Sequence, residues 1–288
     1  MKKIQVGFLL SYDYEKLKKS IPPVYNAADN IFIAMDKDFR TWSGETFDVS
    51  DSFFEWVKNF DVDRKIQFYK DDFYVPELKA IENDNRERHM LSLKMGIGNW
   101  LVQVDSDEYF FNFENFVKDL RKYDSYLDDP EHNNIQIAAF LINLYKYTDG
   151  GILYVKEPTR GVMATNYPNY RVARNTRKRI VYTQNLLLHE SIARTEEELL
   201  LKFNNWGHNI DIKDKDAFMK KWRTTNKSNY KEREDFFYIE PEKWKQLEFC
   251  EGQNVEEIGK NINLKDIMPS KTFIAGKNFG QWFKFLFK

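Results

Sequence analysis

The chain has 288 residues, of which 42% are hydrophobic and 31% are charged, so it can build a large core and is not expected to be disordered. Its 44 basic and 45 acidic residues give a net charge of −1, which excludes a global basic field and argues against a nucleic-acid partner. The single cysteine, Cys250, excludes an intramolecular disulfide and favours a reducing, cytoplasmic location.

Strands and helices are predicted to alternate over roughly the first 120 residues. Short apolar runs predict buried strands at Ile4–Leu10, Asn30–Asp36, Lys65–Tyr69 and Asn99–Asp105. Apolar residues at helical spacing predict helices near residues 14–21, 53–60, 86–95 and 113–120. This order predicts an α/β fold with a mostly parallel, Rossmann-like sheet that is flanked by helices.

The pattern changes after Ile135. Strands without long intervening helices are predicted at Ile135–Tyr145, Ile152–Val155, Tyr170–Ala173, Ile180–Tyr182 and Leu186–His189. Beyond Asp211 the apolar spacing is again helical. The second half is therefore expected to be a mixed-strand extension followed by a helical C-terminal region.

Carboxylates gather at the ends of two predicted strands. Asp36 ends the second strand, and Asp105, Asp107 and Glu108 follow the fourth. Ligands of open α/β sheets bind at the carboxyl ends of the strands, and a divalent cation relieves the repulsion between neighbouring carboxylates. A solvated acidic turn is the alternative interpretation, and Asp107, at the end of a strand, is expected to lie outside the core. An EF-hand is excluded because Phe110 occupies the glycine position.

This region resembles the central block of bacterial family-2-like glycosyltransferases, which have a GT-A fold. The resemblance rests on Asn85–Arg88, the predicted helix, Gly98–Trp100 and the run Leu101–Phe110. It covers residues 4–115 and extends loosely to about residue 225. It implies a GT-A-like catalytic domain over residues 1–225, with a nucleotide-sugar half (1–115) and an acceptor half (116–225), followed by a C-terminal helical extension with an aromatic and basic tail (226–288).

The resemblance also implies roles for individual residues. Asp36 would bind the base of the donor nucleotide, Ser11 and Tyr12 would lie beside the nucleoside, and Arg86 would lie near the diphosphate. Asp105 would face the ribose or a metal-bound water, and Asp107 would bind Mn²⁺ or Mg²⁺. The donor is expected to be a nucleotide-sugar, with a UDP-sugar favoured. The chain departs from the family at Leu10–Asp13, which replaces the usual Pro-x-Tyr-Asn.

A second group of candidates lies in the acceptor half. Similar transferases often complete the metal site with a histidine from this half, so His208 is the candidate third metal ligand. An inverting transfer needs a group that takes the proton of the acceptor hydroxyl. Glu190, which follows His189 at the end of an apolar run, is the candidate base, and Asp211 is the next choice.

Two basic segments can each be interpreted in two ways. Five basic residues between Arg171 and Arg179 form either a solvated loop or a clamp for an anionic ligand. The tail Phe279–Lys288 is aromatic and basic, and either packs as core or contacts anionic lipid on the inner face of the membrane. No apolar run approaches the ~20 residues of a membrane-spanning helix.

The sequence thus predicts a metal-dependent glycosyltransferase that moves a sugar to a glycan or lipid-linked acceptor, with inversion, in the synthesis of cell-surface polysaccharide. A nucleotidyltransferase is the enzymatic alternative, but its glycine-rich basic loop is missing after the first strand. A carbohydrate-binding protein that kept the fold without catalysis is the alternative from another class.

Overall fold

The computed structural model describes residues 2–205, 207, 212 and 214–286. Its ten strands join one sheet. They are β1 (Ile4–Leu9), β2 (Asn30–Asp36), β3 (Ile66–Asp71), β4 (Trp100–Gln103), β5 (Glu108–Phe110), β6 (Ile135–Thr148), β7 (Gly151–Val155), β8 (Thr159–Thr165), β9 (Arg179–His189) and β10 (Leu247–Glu251).

Helices cover the sheet and fill its connections. Within the described residues they are α1 (Leu17–Ser20), α2 (Pro22–Tyr25), α3 (Asp51–Phe60), α4 (Ala80–Met95), α5 (Phe113–Arg121), α6 (Glu196–Asn205), α7 (Lys215–Thr224), α8 (Val255–Asn261), α9 (Leu264–Ile267) and α10 (Lys271–Leu286). No helix of the described chain is both long enough and apolar enough to cross a bilayer.

The sheet is mixed. Its order is β10-β7-β6-β8-β4-β1-β2-β3, and β5 and β9 pair beside this path. The alternating first half does form a parallel block, in which β1 pairs with β2 and β4, and β2 pairs with β3. Strand β8 then inserts antiparallel to both β4 and β6. The expectation of a mostly parallel sheet therefore describes mainly the first half, because β7, β8 and β10 pair antiparallel with their neighbours, and only β6 and β9 among the later described strands pair parallel.

Several predicted elements differ in their bounds or nature. The segment Tyr170–Ala173 is not a strand, since it makes only one isolated bridge, between Val172 and Asn175. The two predicted strands after Arg179 are one continuous strand, β9. The C-terminal region is not purely helical, because β10 lies within it and pairs antiparallel with β7.

Helix α4 packs closely on β1 and places polar side chains at the carboxyl end of the sheet. A Cβ atom on Gly7, in the middle of β1, would lie 2.8 Å from Leu91 Cδ2 and 2.9 Å from Met95 Sδ. The glycine thus lets α4 approach β1 closely, and Leu91 and Met95 are almost fully buried there. Helix α4 starts at Ala80, earlier than predicted, and ends at Gly96 with a positive φ of 92° as expected. Its buried face therefore also includes polar residues one to two turns before Leu91.

Candidate active site

A cavity of about 210 Å³ opens at the carboxyl ends of β1 and β4. Residues from nine parts of the chain line it, and the set includes most of the predicted acidic cluster. They are Leu9, Ser11, Tyr12, Asp13, Trp42, Asp84, Arg88, Asp105, Ser106, Asp107, Glu108, Leu141, Ala173, Arg174, His189, Lys202, Asn205 and Tyr238. Pockets for drug-sized ligands have volumes of about 300–1,000 Å³, so a ligand of that size would extend beyond this cavity.

Asp105 is held by two arginines. Its Oδ1 accepts a hydrogen bond of 2.9 Å from Arg88 Nη2, and its Oδ2 lies 3.8 Å from Arg174. Arg88 also donates to Asp84 over 2.6 Å, and Arg174 binds both oxygens of Glu108. Burial alone would raise the pKa of Asp105, but Arg174 and Arg88 outweigh it and lower the pKa below 3.8.

Asp107 is the centre of a second group of charges. Its Oδ2 accepts hydrogen bonds of 2.6 Å from Arg194 Nη2 and 2.8 Å from Lys202 Nζ. Arg194 donates in addition to Asp13 over 3.0 Å. Only 4% of Asp107 is exposed, so it does not lie outside the core as its strand-end position predicts. Burial works against its ionisation, but Lys202, His189 and Arg194 together hold the pKa well below 3.8.

His189 presents one ring nitrogen to the cavity. Its Nδ1 lies 2.8 Å from Asn143 Oδ1, and the Asn143 amide nitrogen donates elsewhere, to Thr159 Oγ1. This network assigns the imidazole proton to Nδ1. The lone pair of Nε2 then faces Asp107 Oδ1 over 3.6 Å. Burial lowers the pKa of His189, although Asp107 opposes that shift, so the ring is neutral near pH 7.

Three aromatic side chains, Tyr12, Trp42 and Tyr238, border the charged groups. Trp42 is half-buried, and its indole Nε1 donates a 2.6 Å hydrogen bond to Glu87. The Arg88 guanidinium lies 5.9 Å from the Trp42 ring centre. A flat, partly exposed ring beside fixed charges is suited to stack on a nucleobase or a sugar face.

The described residues do not complete a metal site. Oxygens of Asp105 and Asp107 are taken by Arg88, Arg194 and Lys202. At the predicted metal position, Asp107 Oδ1 and His189 Nε2 face each other over 3.6 Å. No group of three His, Cys, Asp or Glu side chains within the described ranges could hold a metal ion. The predicted ligand His208 and the alternative base Asp211 lie outside the described residues.

Asp36 and Arg86 lie away from the cavity lining. Arg40 binds both carboxylate oxygens of Asp36 at 2.8 and 3.0 Å, and backbone amides that include that of Phe73 complete its hydrogen bonds. Arg86 donates to the backbone carbonyl of Asp72 over 3.1 Å. By contrast, Ser11 and Tyr12 line the cavity, and their roles beside a nucleoside stay predictions.

Glu190 also lies outside the cavity lining, although His189 is part of it. The carboxylate of Glu190 accepts hydrogen bonds of 2.5 Å from Lys16 and 2.8 Å from the Tyr109 hydroxyl. Alternate residues of a strand point to opposite faces, so His189 at the end of β9 and Glu190 after it diverge. Ser191 follows with a positive φ of 45°. The predicted base role of Glu190 stays a prediction, with its carboxylate held by Lys16.

Sequence reasoning missed most of the cations of the site. Asp84 and Arg88 carry a local signal, since they lie four residues apart on one helix and can pair. Arg194 and Lys202 carry none, because they lie 87 and 95 residues from their partner Asp107 along the chain.

The basic residues of the loop between Arg171 and Arg179 differ in their position relative to the cavity. Arg174 reaches the cavity and is half-buried, whereas Arg171, Arg177 and Lys178 are exposed. The preceding residue, Ala173, has a positive φ of 46°, which is unfavourable for a residue with a Cβ. The tertiary contacts of Arg174 hold the loop in this conformation. Arg174 is therefore the one basic side chain of this described loop that lines the cavity.

The sequence matches no protein-family model and no curated protein. The solved structures that are similar to parts of the chain include the following two. TarS residues 1–349 from S. aureus is 15% identical with a TM-score of 0.30, and the match covers 50% of this chain and 36% of that one. A mannose-6-phosphate isomerase from Helicobacter pylori is 13% identical with a TM-score of 0.31, over 55% and 56% of the two chains. The chain thus spans less than two thirds of either protein, and neither likeness decides its activity.

Proposed function

We propose that the chain is a glycosyltransferase that moves a sugar from a nucleotide-sugar, with a UDP-sugar favoured, to a glycan or lipid-linked acceptor with inversion. One observation carries the proposal. The Asp105-Ser106-Asp107 segment lies in a cavity at the carboxyl ends of parallel strands, beside fixed cations and aromatic rings. This is where an open α/β sheet binds its ligand.

The cations of the cavity would stabilise the leaving group. A nucleoside diphosphate gains negative charge as its bond to the sugar breaks, and fixed positive groups stabilise that charge most in a site that excludes water. Arg88, Arg174 and Lys202 line the cavity, and each is bound by a carboxylate that fixes its position. The site therefore needs little rearrangement when the charge develops.

His189 is suited to take the proton of the acceptor. In an inverting transfer the acceptor oxygen bonds to the anomeric carbon, the bond from that carbon to the diphosphate oxygen breaks, and the hydroxyl proton goes to a base. The neutral Nε2 of His189 faces the cavity, and Asp107 lies 3.6 Å away to stabilise the imidazolium that forms. Glu190 remains the alternative base, and it would first have to leave Lys16.

The use of Mn²⁺ or Mg²⁺ stays a prediction. In and around the cavity, the carboxylates outnumber the arginine and lysine side chains by one. The five carboxylates are Asp13, Asp84, Asp105, Asp107 and Glu108, and the four basic side chains are Arg88, Arg174, Arg194 and Lys202. A diphosphate that entered alone would add to this negative charge. This balance favours a donor that brings a cation with it, even though the described ligands do not complete a site.

Hydrolysis of a panel of nucleotide-sugars tests the proposal, with Mn²⁺, Mg²⁺ or EDTA present; water takes the sugar in place of the acceptor, and nucleoside diphosphate is released. We expect release from at least one nucleotide-sugar, and a strong loss of release in Arg174→Met, which keeps the bulk of the side chain without its charge. Binding of a nucleotide-sugar without any release would favour the non-catalytic alternative. Neither binding nor release across the panel would contradict the proposal.

A further inference from the structure

A groove of about 890 Å³ lies beside the basic loop, which spans residues 171–179. Four of the residues that line it are basic, and none of its described lining residues is acidic. The four are Arg171, Arg177, Lys178 and Arg179. The chain as a whole has a net charge of −1, so this concentration of positive charge is local. The groove is therefore suited to attract a ligand with negative charge.

The exposed basic side chains of the groove are not neutralised by neighbouring carboxylates. Arg174, from the same loop, donates to both carboxylate oxygens of Glu108 in the cavity. By contrast, Arg171, Arg177 and Lys178 form no side-chain ion pair or hydrogen bond with any described residue. Like charges along one wall repel each other, and an anion bound between them would relieve that repulsion.

Arg179 carries a buried donor without a partner. The residue is half-buried at the start of β9, and its Nη1 donates to the Tyr126 hydroxyl over 3.2 Å. Its Nε is buried and has no hydrogen-bond partner among the described atoms. A buried donor that lacks a partner is destabilising. A guanidinium is a planar fork of donors that matches a carboxylate or a phosphate, so an anion would use donors that the domain leaves open.

A buried glutamine fixes the loop in place. Gln136 on β6 is fully buried; its Oε1 accepts a 2.7 Å hydrogen bond from the backbone nitrogen of Thr176, and its Nε2 donates to the carbonyl of Lys178 over 2.9 Å. Between these contacts Arg177 has a positive φ of 57°, which is unfavourable for a residue with a Cβ. Backbone strain of this kind persists only where surrounding contacts impose it, and it is concentrated at binding sites. The basic wall is therefore set before any ligand binds.

The groove lies close to the cavity along the chain. Arg171 and Arg177 line the groove, and each is three residues from Arg174, which lines the cavity. Three residues of chain span at most about 10–11 Å, so the Cα atoms of both residues lie within that distance of the Arg174 Cα. A ligand of a few sugar units is long enough to contact both places.

We propose that the groove binds an acceptor glycan that carries carboxylate or phosphate groups, while the hydroxyl that receives the sugar lies in the cavity. This inference rests on the proposed transferase function. Tyr126 and Phe285 also line the groove and offer rings to the apolar faces of sugars. Its volume of about 890 Å³ is near the top of the ~300–1,000 Å³ range of ligand pockets, so it holds more than a single anion. A flat lipid surface fits less well, because the basic side chains line a groove.

Calorimetric titration without any donor tests the groove separately from the transferase function. The two probes are a galacturonate hexamer, which has one carboxylate on each sugar, and inorganic tripolyphosphate. The methyl ester of the same hexamer is the matched control, because it keeps the sugar chain and removes the charge. We expect at least one probe to bind at low salt and to bind more weakly as the salt concentration rises, whereas the uncharged ester should not bind.

Two double variants locate the binding. Arg171→Met/Arg177→Met removes two charges from the groove and should weaken binding of the probe by about tenfold or more, because charge-assisted hydrogen bonds are lost. Arg64→Met/Arg160→Met removes two exposed arginines outside the groove lining, with the same change in net charge, and should bind like the parent. Equal melting temperatures show that each variant is folded.

Three results separate this proposal from its competitors. Failure of the parent to bind either probe at low salt, or unchanged binding in Arg171→Met/Arg177→Met, overturns it. Binding of phosphatidylglycerol vesicles or of a single-stranded oligonucleotide, but of neither probe, would overturn it in favour of a lipid or a nucleic acid. Groove-dependent binding of a probe by a protein that hydrolyses no nucleotide-sugar would support the anionic glycan site and contradict only the transferase function.

Discussion

Removal of the Asp107 charge should destabilise the whole domain. Asp107→Asn keeps the size of the side chain but leaves Arg194 and Lys202 without their shared carboxylate, and both cations are buried. Breaking a buried ion pair from one side costs about 3–5 kcal/mol, because the stranded charge cannot regain its hydration. Arg194 retains Asp13 at 3.0 Å, so most of the cost should come from Lys202.

Urea unfolding, followed by tryptophan fluorescence, measures this loss. We expect the free energy of unfolding to fall by about 3 kcal/mol or more, and Lys202→Met in the same chain to restore part of it, because the stranded ammonium is removed. Asp149→Asn, on an exposed turn, is the matched control and should leave stability unchanged. Unchanged stability in Asp107→Asn, or no recovery in the double variant, would refute the reasoning.

The pH dependence provides an independent check on Asp107. Its pKa in the folded protein lies well below the ordinary value of 3.8, so its stabilising effect is fully present above that value. This stabilisation is lost as the pH falls from 3.8 towards the pKa of Asp107 in the folded protein, because the carboxyl is then protonated in the folded as well as in the unfolded protein. The stability difference between the parent and Asp107→Asn should therefore be constant near neutrality and shrink below pH 3.8.

Two further predictions concern the base and the packing of α4. His189→Gln should lower transfer by about 10²–10⁴-fold with donor affinity nearly unchanged, whereas Glu190→Gln should retain transfer within about tenfold. A large loss of transfer in Glu190→Gln alone, in a folded protein, would assign the base role to Glu190. Gly7→Ala should lower the free energy of unfolding by about 1–3 kcal/mol in the same urea assay, because its Cβ would overlap Leu91. A variant as stable as the parent would show that α4 can shift away from β1 at no cost.

Local sequence patterns predict the first half of the fold well. Strand β2 has its predicted bounds, and α3 and α5 lie where the apolar spacing places them. These elements have strong periodicity and a single environment over their whole length. Strand β5 has only three residues, and β8 has no regular alternation of polar and apolar residues; both form because neighbouring strands offer unpaired edges. Pairing of that kind depends on the tertiary fold, so it could not be predicted from the local sequence.

The acidic half of the site could be predicted, whereas of the basic half only Arg174 lies in a segment that the sequence offers as an anion clamp. Asp105 and Asp107 are two residues apart, so their proximity is evident in the sequence itself. Their cationic partners are distant, with Arg194 lying 87 residues and Lys202 95 residues beyond Asp107. No local pattern indicates such a pairing. The expectation that Asp107 lies outside the core was wrong for this reason, because residues of a later helix bury it.

Calorimetric titration with nucleotide-sugars tests the central claim that the cavity around Asp105 and Asp107 binds the donor. The titration is run with the parent, with Trp42→Ala in the cavity, and with Trp56→Ala on α3, which removes an equally half-buried indole far from the cavity lining. We expect one binding site in the parent and parent-like affinity in Trp56→Ala. In Trp42→Ala the affinity should be at least tenfold weaker, because an aromatic stack on a base contributes ~1–3 kcal/mol. Equal binding by all three proteins would contradict the claim, since the donor would then bind elsewhere.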